Sequence, residues 1–218
     1  MKRILSLLFL GSSSLLLAQS VSEARSWIGI KTKFQISEKL HNTIGLQYRS
    51  KSDFKELDKY FFENNLDYDL SKDFSLEVGL RIGKNNDTNG GQQGIENQYR
   101  VHTDLNYKKS FGDFKFNSRI RYQVSNLFGS IDPGNKYLRF KNSIEFKINN
   151  WKYDPEFLIE PFITIGDPSF SGIKKWRYGV QTDLPIGAHQ LKFVYFYMTA
   201  TQTIERHHII GLFYKFKL

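Results

Sequence analysis

The stretch Phe114-Lys115-Phe116-Asn117-Ser118-Arg119-Ile120-Arg121-Tyr122-Gln123-Val124 decides the reading of this chain. Phe114, Phe116, Ile120, Tyr122 and Val124 alternate with Lys115, Asn117, Arg119, Arg121 and Gln123. Successive side chains of a β-strand point to opposite faces, so this segment has one oily face and one polar, largely cationic face. The same pattern recurs upstream, where Phe74, Leu76, Val78, Leu80 and Ile82 alternate with Ser75, Glu77, Gly79, Arg81 and Gly83. It recurs downstream in Leu138, Phe140, Ile144, Phe146 and Ile148 against Arg139, Lys141, Ser143, Glu145 and Lys147. No long segment carries the 3.6-residue period of a helix.

Outward from these three, alternating segments read at 25–36, 40–50, 57–70, 97–108, 152–165, 174–184, 190–198 and 206–218. The connections differ in character. Ser37–Lys39, Ser71–Asp73, Asn149–Asn150 and Pro185–His189 are tight, whereas 84–96, 126–135 and 166–173 are long, polar and rich in Gly, Asn and Pro. Short turns on one side and longer loops on the other belong to an outer-membrane barrel. A soluble sandwich or lipocalin-like barrel would use the same alternation with its oily face inward. Strand length separates the two. Several segments reach ten residues, matching the about 9–11 of a tilted membrane strand and exceeding the about five to six of an average soluble one. The oily faces also carry Tyr48, Tyr60, Tyr68, Tyr99, Tyr107, Tyr122, Trp176, Tyr178, Tyr195 and Tyr197, aromatics suited to the two membrane interfaces.

Composition agrees. The 218 residues have a mean hydropathy of −0.46, which excludes a bundle of helical spans, each of which needs roughly 20 apolar residues in a row. With 19 Phe, 12 Tyr and only 5 Pro the chain is not disordered. Cysteine is absent, so disulfides, thiolate metal sites, cysteine nucleophiles and a lipoprotein anchor are all excluded. Lys2 and Arg3, the apolar Ile4–Leu10 and Leu15–Leu17, and the small Ala18 have the layout of a secretory signal peptide over residues 1–18. The rest, 19–218, reads as one barrel domain. Loss of Lys2 and Arg3 takes the 31 basic residues to 29 against 22 acidic ones, a net charge of +7. Attraction to anionic lipid head groups is one use of that balance, but the patterning favours charges that pair internally or face water; nucleic acid is not an expected partner of an exported chain.

The expected fold class is all-β: an antiparallel, up-and-down transmembrane β-barrel of 10 or 12 strands. Eleven segments are legible, but single-chain bacterial barrels have even strand numbers. Either 25–36 is not a full strand or one segment is merged or split. The stretch 152–165, with Pro155 and Pro161, is the least regular.

Several short motifs, in order, carry a resemblance. They are Ser26-Trp27-Ile28-Gly29, Gln47-Tyr48-Arg49, Asn97-Gln98-Tyr99-Arg100-Val101-His102, Ser118-Arg119-Ile120-Arg121-Tyr122, Leu138-Arg139-Phe140-Lys141, Glu160-Pro161-Phe162, Trp176-Arg177-Tyr178-Gly179 and His208-Ile209-Ile210-Gly211. Together they resemble a family of exported barrel proteins of Gram-negative bacteria known only as a domain of unknown function. The resemblance implies an outer-membrane barrel and no particular reaction, substrate or catalytic residue. The end of the chain, Gly211 followed by Tyr214, Phe216 and Leu218 on one face, resembles the terminal signal read by the bacterial barrel-assembly machinery, although its last residue is ordinarily Phe.

With the oily faces outward, the lumen is expected to carry a charge network of Arg49, Glu63, Glu77, Arg81, Arg100, His102, Asp104, Arg119, Arg121, Arg139, Lys141, Glu160 and Arg177, with Asp67, Glu145, Glu156, Asp183 and Lys192 beside it. A turn centred at Lys72 sets Glu63 opposite Arg81 and Asp67 opposite Glu77. A turn near Asn149–Asn150 brings Arg139 or Lys141 beside Glu160, and the Pro185–His189 turn sets Asp183 beside Lys192. Such long side chains favour a plugged interior over an open channel.

Chemical motifs are few. His207 and His208 face opposite sides of a strand and cannot share a metal. Glu156 and Glu160 lie roughly 13 Å apart by strand rise, beyond the about 5–9.5 Å of a glycosidase pair. A hydrolase would have to draw on Ser125 or Ser143 with His102 and Asp104, and nothing marks an activated serine. Asn89-Gly90-Gly91 precedes no helix and is no phosphate loop. The sequence thus leads to a non-enzymatic protein of the cell outer membrane with a structural, binding or envelope role. It needs no cofactor or metal, and its partners are outer-membrane lipids and, during biogenesis, the assembly machinery. The alternatives are a narrow, anion-preferring pore and a lipid-acting hydrolase. The identity of any small-molecule ligand is not legible.

Overall fold

Alternation in the sequence becomes alternation in space. All eleven segments form strands: β1 (Ser22–Gln35), β2 (Leu40–Lys51), β3 (Glu56–Asp69), β4 (Phe74–Asp87), β5 (Gly94–Phe111), β6 (Phe114–Leu127), β7 (Asn135–Phe146), β8 (Pro155–Thr164), β9 (Gly172–Ile186), β10 (His189–Ala200) and β11 (Arg206–Lys217). The computed structural model describes residues 22–88, 93–167 and 170–217. The expected signal peptide, the loop tip at 89–91, Pro168 and the terminal Leu218 lie outside those residues.

Each strand pairs antiparallel with its neighbour in sequence, and β1 closes the wall by pairing with β11. That closure corrects two expectations. The barrel has eleven strands rather than 10 or 12, and its last pairing is parallel, from Ser22↔Arg206 to Lys33↔Lys217. The two facts are one. In an up-and-down meander an odd number of strands leaves the first and last pointing the same way. Parallel pairing is slightly less stable per residue, but here it runs through a full twelve-residue register and is backed from inside by the apolar cluster of Trp27, Leu158, Val194, Phe196 and Ile209. The segment expected at 25–36 is therefore a complete barrel strand, Ser22–Gln35.

Turn chemistry follows the local sequence. The β5–β6 and β9–β10 hairpins are two residues long, each opened by a glycine with positive φ, Gly112 at 56° and Gly187 at 60°. A glycine in that first position is what a II′ hairpin requires. Ser37 and Ser71 close their turns by accepting the N–H groups of Leu40 and Phe74 at 3.1 and 3.2 Å. The β7–β8 connection is longer than the Asn149–Asn150 turn expected, spanning 147–154, because β8 begins only at Pro155. Pro161 interrupts the β7–β8 ladder: pairing runs to Arg139↔Phe162 on one side and Asn142↔Ile159 on the other, with a break between. Proline has no N–H to give the ladder. At the opposite end β4 and β5 outrun the predicted boundary, pairing out to Asp87↔Gly94. Polar residues that read as loop continue the hairpin, with Lys59 Nζ donating to Asn85 Oδ1 at 2.9 Å and Asn86 Nδ2 to the Leu57 carbonyl at 2.9 Å.

The oily face is the outside. Ile28, Leu46, Phe62, Val78, Leu80, Val101, Ile120, Ile144, Phe157, Val180, Phe193 and Ile210 are exposed, whereas Glu63, His102, Asp104, Arg121, Arg139 and Glu160 are buried. Inward glycines make room for larger neighbours. A Cβ on Gly179 would lie 2.4 Å from Phe196 Cδ1, and one on Gly211 would lie 2.4 Å from Val194 Cγ2. Gly179→Val is therefore expected to cost about 1–3 kcal/mol by overpacking, read as a lower urea midpoint of the folded protein. Thr103→Ala, on the outer face, should stay within about 0.5 kcal/mol. Equal midpoints for the two would show that the inner face is not packed as described.

Candidate functional site

Strand register assembles the interior. Glu63 lies opposite Arg81 on β3 and β4, and Asp104 lies opposite Arg121 on β5 and β6. Glu160 lies opposite Arg177 on β8 and β9, and Asp183 opposite Lys192 on β9 and β10. Each cross-strand pair is joined. Arg81 donates to Glu63 Oε2 through Nε at 3.0 Å and Nη2 at 2.5 Å. Arg121 grips Asp104 with two bonds of 2.6 Å. Lys192 Nζ is 3.2 Å from Asp183.

Glu160 is the hub. Its side chain is wholly buried and accepts from three guanidinium groups. Arg119 Nη2 and Arg139 Nη2 each reach Oε1 at 2.7 Å, and Arg177 bonds Oε2. Arg119 also lies 3.7 Å from Asp104, which links the hub to the Asp104–Arg121 pair. Arg121 Nη2 continues to Glu77 at 3.5 Å, and Glu77 meets His102 Nε2 at 3.3 Å. One chain of charge thus runs from β4 to β9. Glu156 sits apart, bonded to Gln181 and 3.9 Å from Lys141. Asp67 stands opposite Glu77 as the turn arithmetic required, and Glu77 turns to His102 and Arg121.

The structure places every residue of the expected network inside the barrel. Those joined by ion pairs are Glu63, Glu77, Arg81, Asp104, Arg119, Arg121, Arg139, Lys141, Glu160 and Arg177, and His102 joins through its hydrogen bond to Glu77. Arg49 and Arg100 stand outside this pairing. Aromatic rings hold several of the cations. The Arg49 guanidinium lies 3.8 Å from the Trp27 ring centroid, Arg81 3.7 Å from Phe61 and Arg139 4.2 Å from Phe162. Lys175 Nζ is 4.8 Å from Phe162. Cation–π contact of this kind stabilises by about 0.5–2 kcal/mol, more as water is excluded.

Two cavities share this interior. One of about 540 Å³ lies toward the short turns, lined by Thr43, Gln47, Gln181, Asp183, Gln190 and Lys192 among others. One of about 330 Å³ lies toward the long loops, lined by Arg81, Arg100, Arg119, Arg139, Tyr137 and Lys175 among others. Trp27, Arg49 and Arg177 border both. Arg177 reaches from β9 to within 5.8 Å of the Trp27 ring on β1, so side chains bridge the waist.

Two chemical possibilities can be weighed on this geometry. Glu77, His102 and Asp104 bring ligand-type atoms within 4.8 Å of one another. Both Asp104 oxygens accept from Arg121, whose guanidinium also faces Glu77, so a fixed cation already stands where a divalent ion would bind. A serine hydrolase is not assembled either. Among the described residues no hydrogen bond joins His102 to Ser125, Ser143 or Asp104. His207 points inward to Glu23 at 3.1 Å, and His208 points outward to the Tyr195 hydroxyl at 2.7 Å.

Sequence reasoning missed the aromatic platforms Trp27, Phe61 and Phe162, and also Lys175. Their signal was present, since all four fall on the polar parity of their strands. An apolar residue there breaks the alternation, and Lys174-Lys175 leaves the facing of either lysine open, so the pattern alone does not mark them.

The hub yields a stability test. Glu160→Gln removes the carboxylate shared by three guanidinium groups, and an uncompensated buried charge costs about 3–5 kcal/mol. A large fall in the urea midpoint is expected, whereas Glu205→Gln in an exposed loop should change it by under about 0.5 kcal/mol.

A family model described as "Protein of unknown function (DUF2490)" matches residues 24–208. No curated protein and no solved structure matches the chain.

Proposed function

We propose that this chain, which belongs to the DUF2490 family of proteins of unknown function, is an integral outer-membrane β-barrel with a non-catalytic role and a lumen filled by side chains. One observation carries the reading. Between the aromatic rows at the two ends of the wall, the outward positions of the described residues hold no Asp, Glu, Lys or Arg. Several of the polar groups there bond to one another sideways. Asn42 Nδ2 donates to Asn64 Oδ1 at 2.8 Å, the Ser118 hydroxyl to Asn142 Oδ1 at 2.8 Å, and His208 meets Tyr195. In hydrocarbon an unpaired polar group costs several kcal/mol, so pairing of this kind is what a lipid-facing wall requires.

The aromatic rows support the same reading. Tyr48, Tyr60, Tyr99, Trp176, Tyr178 and Tyr197 cluster toward the long loops. Phe74 against Tyr107 and Phe114 against Phe146, at ring centroid distances of 4.9 and 5.0 Å, lie toward the short turns. Strand lengths of 10 to 18 residues suffice for a tilted crossing of about 9–11. Short turns are periplasmic in such barrels, which would put the long loops and the arginine-lined cavity on the outer side. Membrane lipids and, during biogenesis, the barrel-assembly machinery are the partners this reading requires.

The absence of cysteine makes single-cysteine labelling clean. A fluorophore on Ile120→Cys is expected to be quenched by brominated lipid in vesicles, and one on Asn117→Cys, three residues away on the inner face, is not. Folded protein should also migrate differently before and after heating. A barrel recovered as a water-soluble monomer, with both labels reporting water, would overturn the reading.

A second reading, a narrow anion-preferring pore, is favoured by the two cavities meeting around Trp27, Arg49 and Arg177. Planar-bilayer recording separates the two. The filled lumen predicts no stable conductance from the parent protein, and steady anion-selective steps would replace it with the pore.

A further inference from the structure

We infer that the cavity toward the long loops is a binding site for a small, multiply charged oxyanion, a phosphate or phosphate ester taken from solution, held by Arg49, Arg100 and Lys175. Three observations converge. First, cations crowd there in excess of the two lining carboxylates, Glu63 and Glu77, which are bonded to Arg81 and to His102 and Arg121. Among the described residues no carboxylate pairs with Arg49, Arg100 or Lys175. Arg100 feels the charges of Arg81 and Arg49, and Lys175 those of Arg139, Arg100 and Arg177. The acids nearest Arg49 are engaged elsewhere: Asp58 with Lys59 at 3.7 Å, and Glu63 with Arg81.

Second, donors are left over in this one chamber. Arg49 Nε, Arg81 Nη1, Arg100 Nε, Arg119 Nε and Arg177 Nε are buried with no acceptor among the described protein atoms. Buried polar groups are nearly always bonded, so several orphan donors around one cavity point to a shared acceptor. Third, the guanidinium groups are held ready. Stacking on Trp27 and Phe61 fixes the faces of Arg49 and Arg81 and leaves Arg49 Nε and Arg81 Nη1 to meet an oxyanion. Glu160 shows, lower in the same lumen, that one oxyanion can gather three of these arginines. The cavity, about 330 Å³, falls at the lower end of the range for small-molecule sites.

A lipid head group is disfavoured as the source. All eleven strand pairs are closed, so the route in is the mouth at the long loops and not the wall. The inference rests on the outer-membrane reading only for the side from which the solute arrives.

The test is calorimetric titration of inorganic pyrophosphate, at low ionic strength, into the folded full-length mature protein in phosphatidylcholine vesicles and, separately, in detergent. One saturable site is expected. Arg100→Gln and Lys175→Gln should each weaken it at least tenfold, Lys175→Arg should retain it, and Lys108→Gln, at the short-turn end, should leave it unchanged. Heat-dependent migration confirms that each variant is folded. Absence of binding to folded protein, or binding indifferent to Arg100→Gln and Lys175→Gln, overturns the inference. Binding seen only when phosphatidylglycerol is added to the vesicles, with none to free pyrophosphate, also overturns it and assigns the cations to lipid. Failure to insert into vesicles, with pyrophosphate still bound in detergent, counts against the membrane reading alone.

Discussion

A wall of main-chain hydrogen bonds that closes on itself leaves each side chain only two places to go. The constraint governing this molecule is that the charged half goes inward. Outside, the consequence is an apolar belt in which several of the residual polar groups pair with one another. Inside, charges removed from bulk water must find partners within reach of their own strands. Removing an ion from water costs several kcal/mol, and only good geometry with further hydrogen bonds repays it. Glu160, buried and bonded to Arg119, Arg139 and Arg177, meets that demand most fully. Because its partners come from β6, β7 and β9, it also ties the register of four consecutive strands. A one-residue slip would turn each of these side chains to the other face of the wall.

The seam obeys a different balance. β1 and β11 close the ring in parallel, and the inner surface behind and beside them is apolar: Trp27, Val194, Phe196, Ile209 and Leu158 pack together. A charge chain here would need exact cross-strand partners, which a parallel register with its slanted bonds offers less readily. Packing of hydrocarbon demands only volume. The inward glycines Gly179 and Gly211 let Phe196 and Val194 lie flat against the wall, so the lumen is aromatic on the seam side and ionic on the far side. Trp27 stands at the boundary, with Arg49 over its ring and Arg177 approaching from across the barrel.

Most of the wall was legible because its physics is local. Alternation at 74–83, 114–124 and 138–148 marks two faces without any knowledge of partners, and tight turns at Ser71–Asp73 and Pro185–His189 fix register by arithmetic. The facing pairs Glu63–Arg81 and Asp183–Lys192 follow from that arithmetic alone, whereas the Asn149–Asn150 turn leaves Arg139 or Lys141 beside Glu160, and it is Arg139, opposite Phe162, that reaches the carboxylate. Strand number was misjudged for the opposite reason. Eleven segments were visible, but the pairing of β1 with β11 joins residues almost the whole chain apart, and no local pattern announces whether such a seam is parallel. The inner aromatics were obscure too. Strands apolar on both faces, as at Phe193-Val194-Tyr195-Phe196, lose the alternation that makes a face readable.

Barrel width ties the remaining features together. Eight strands are about filled by ordinary side chains, whereas sixteen to eighteen leave a water channel. Eleven strands fall between, and a lumen of that width is closed only by side chains long enough to reach its axis. Arginine is the longest side chain that can both cross such a gap and end in a group able to stack or pair. That accounts for an interior where cations outnumber acids. A carboxylate neutralises a guanidinium, but a ring can carry its face, as Trp27, Phe61 and Phe162 do. Stacking leaves the charge itself in place. The excess gathers toward the long loops, where Arg49 and Lys175 have rings and Arg100 has other cations for neighbours, whereas toward the short turns Lys192 has Asp183 and amides join the lining. The two mouths are therefore chemically unequal: one mixes lysines with Asp183 and amides, and the other presents a denser group of arginines to whatever anion reaches it.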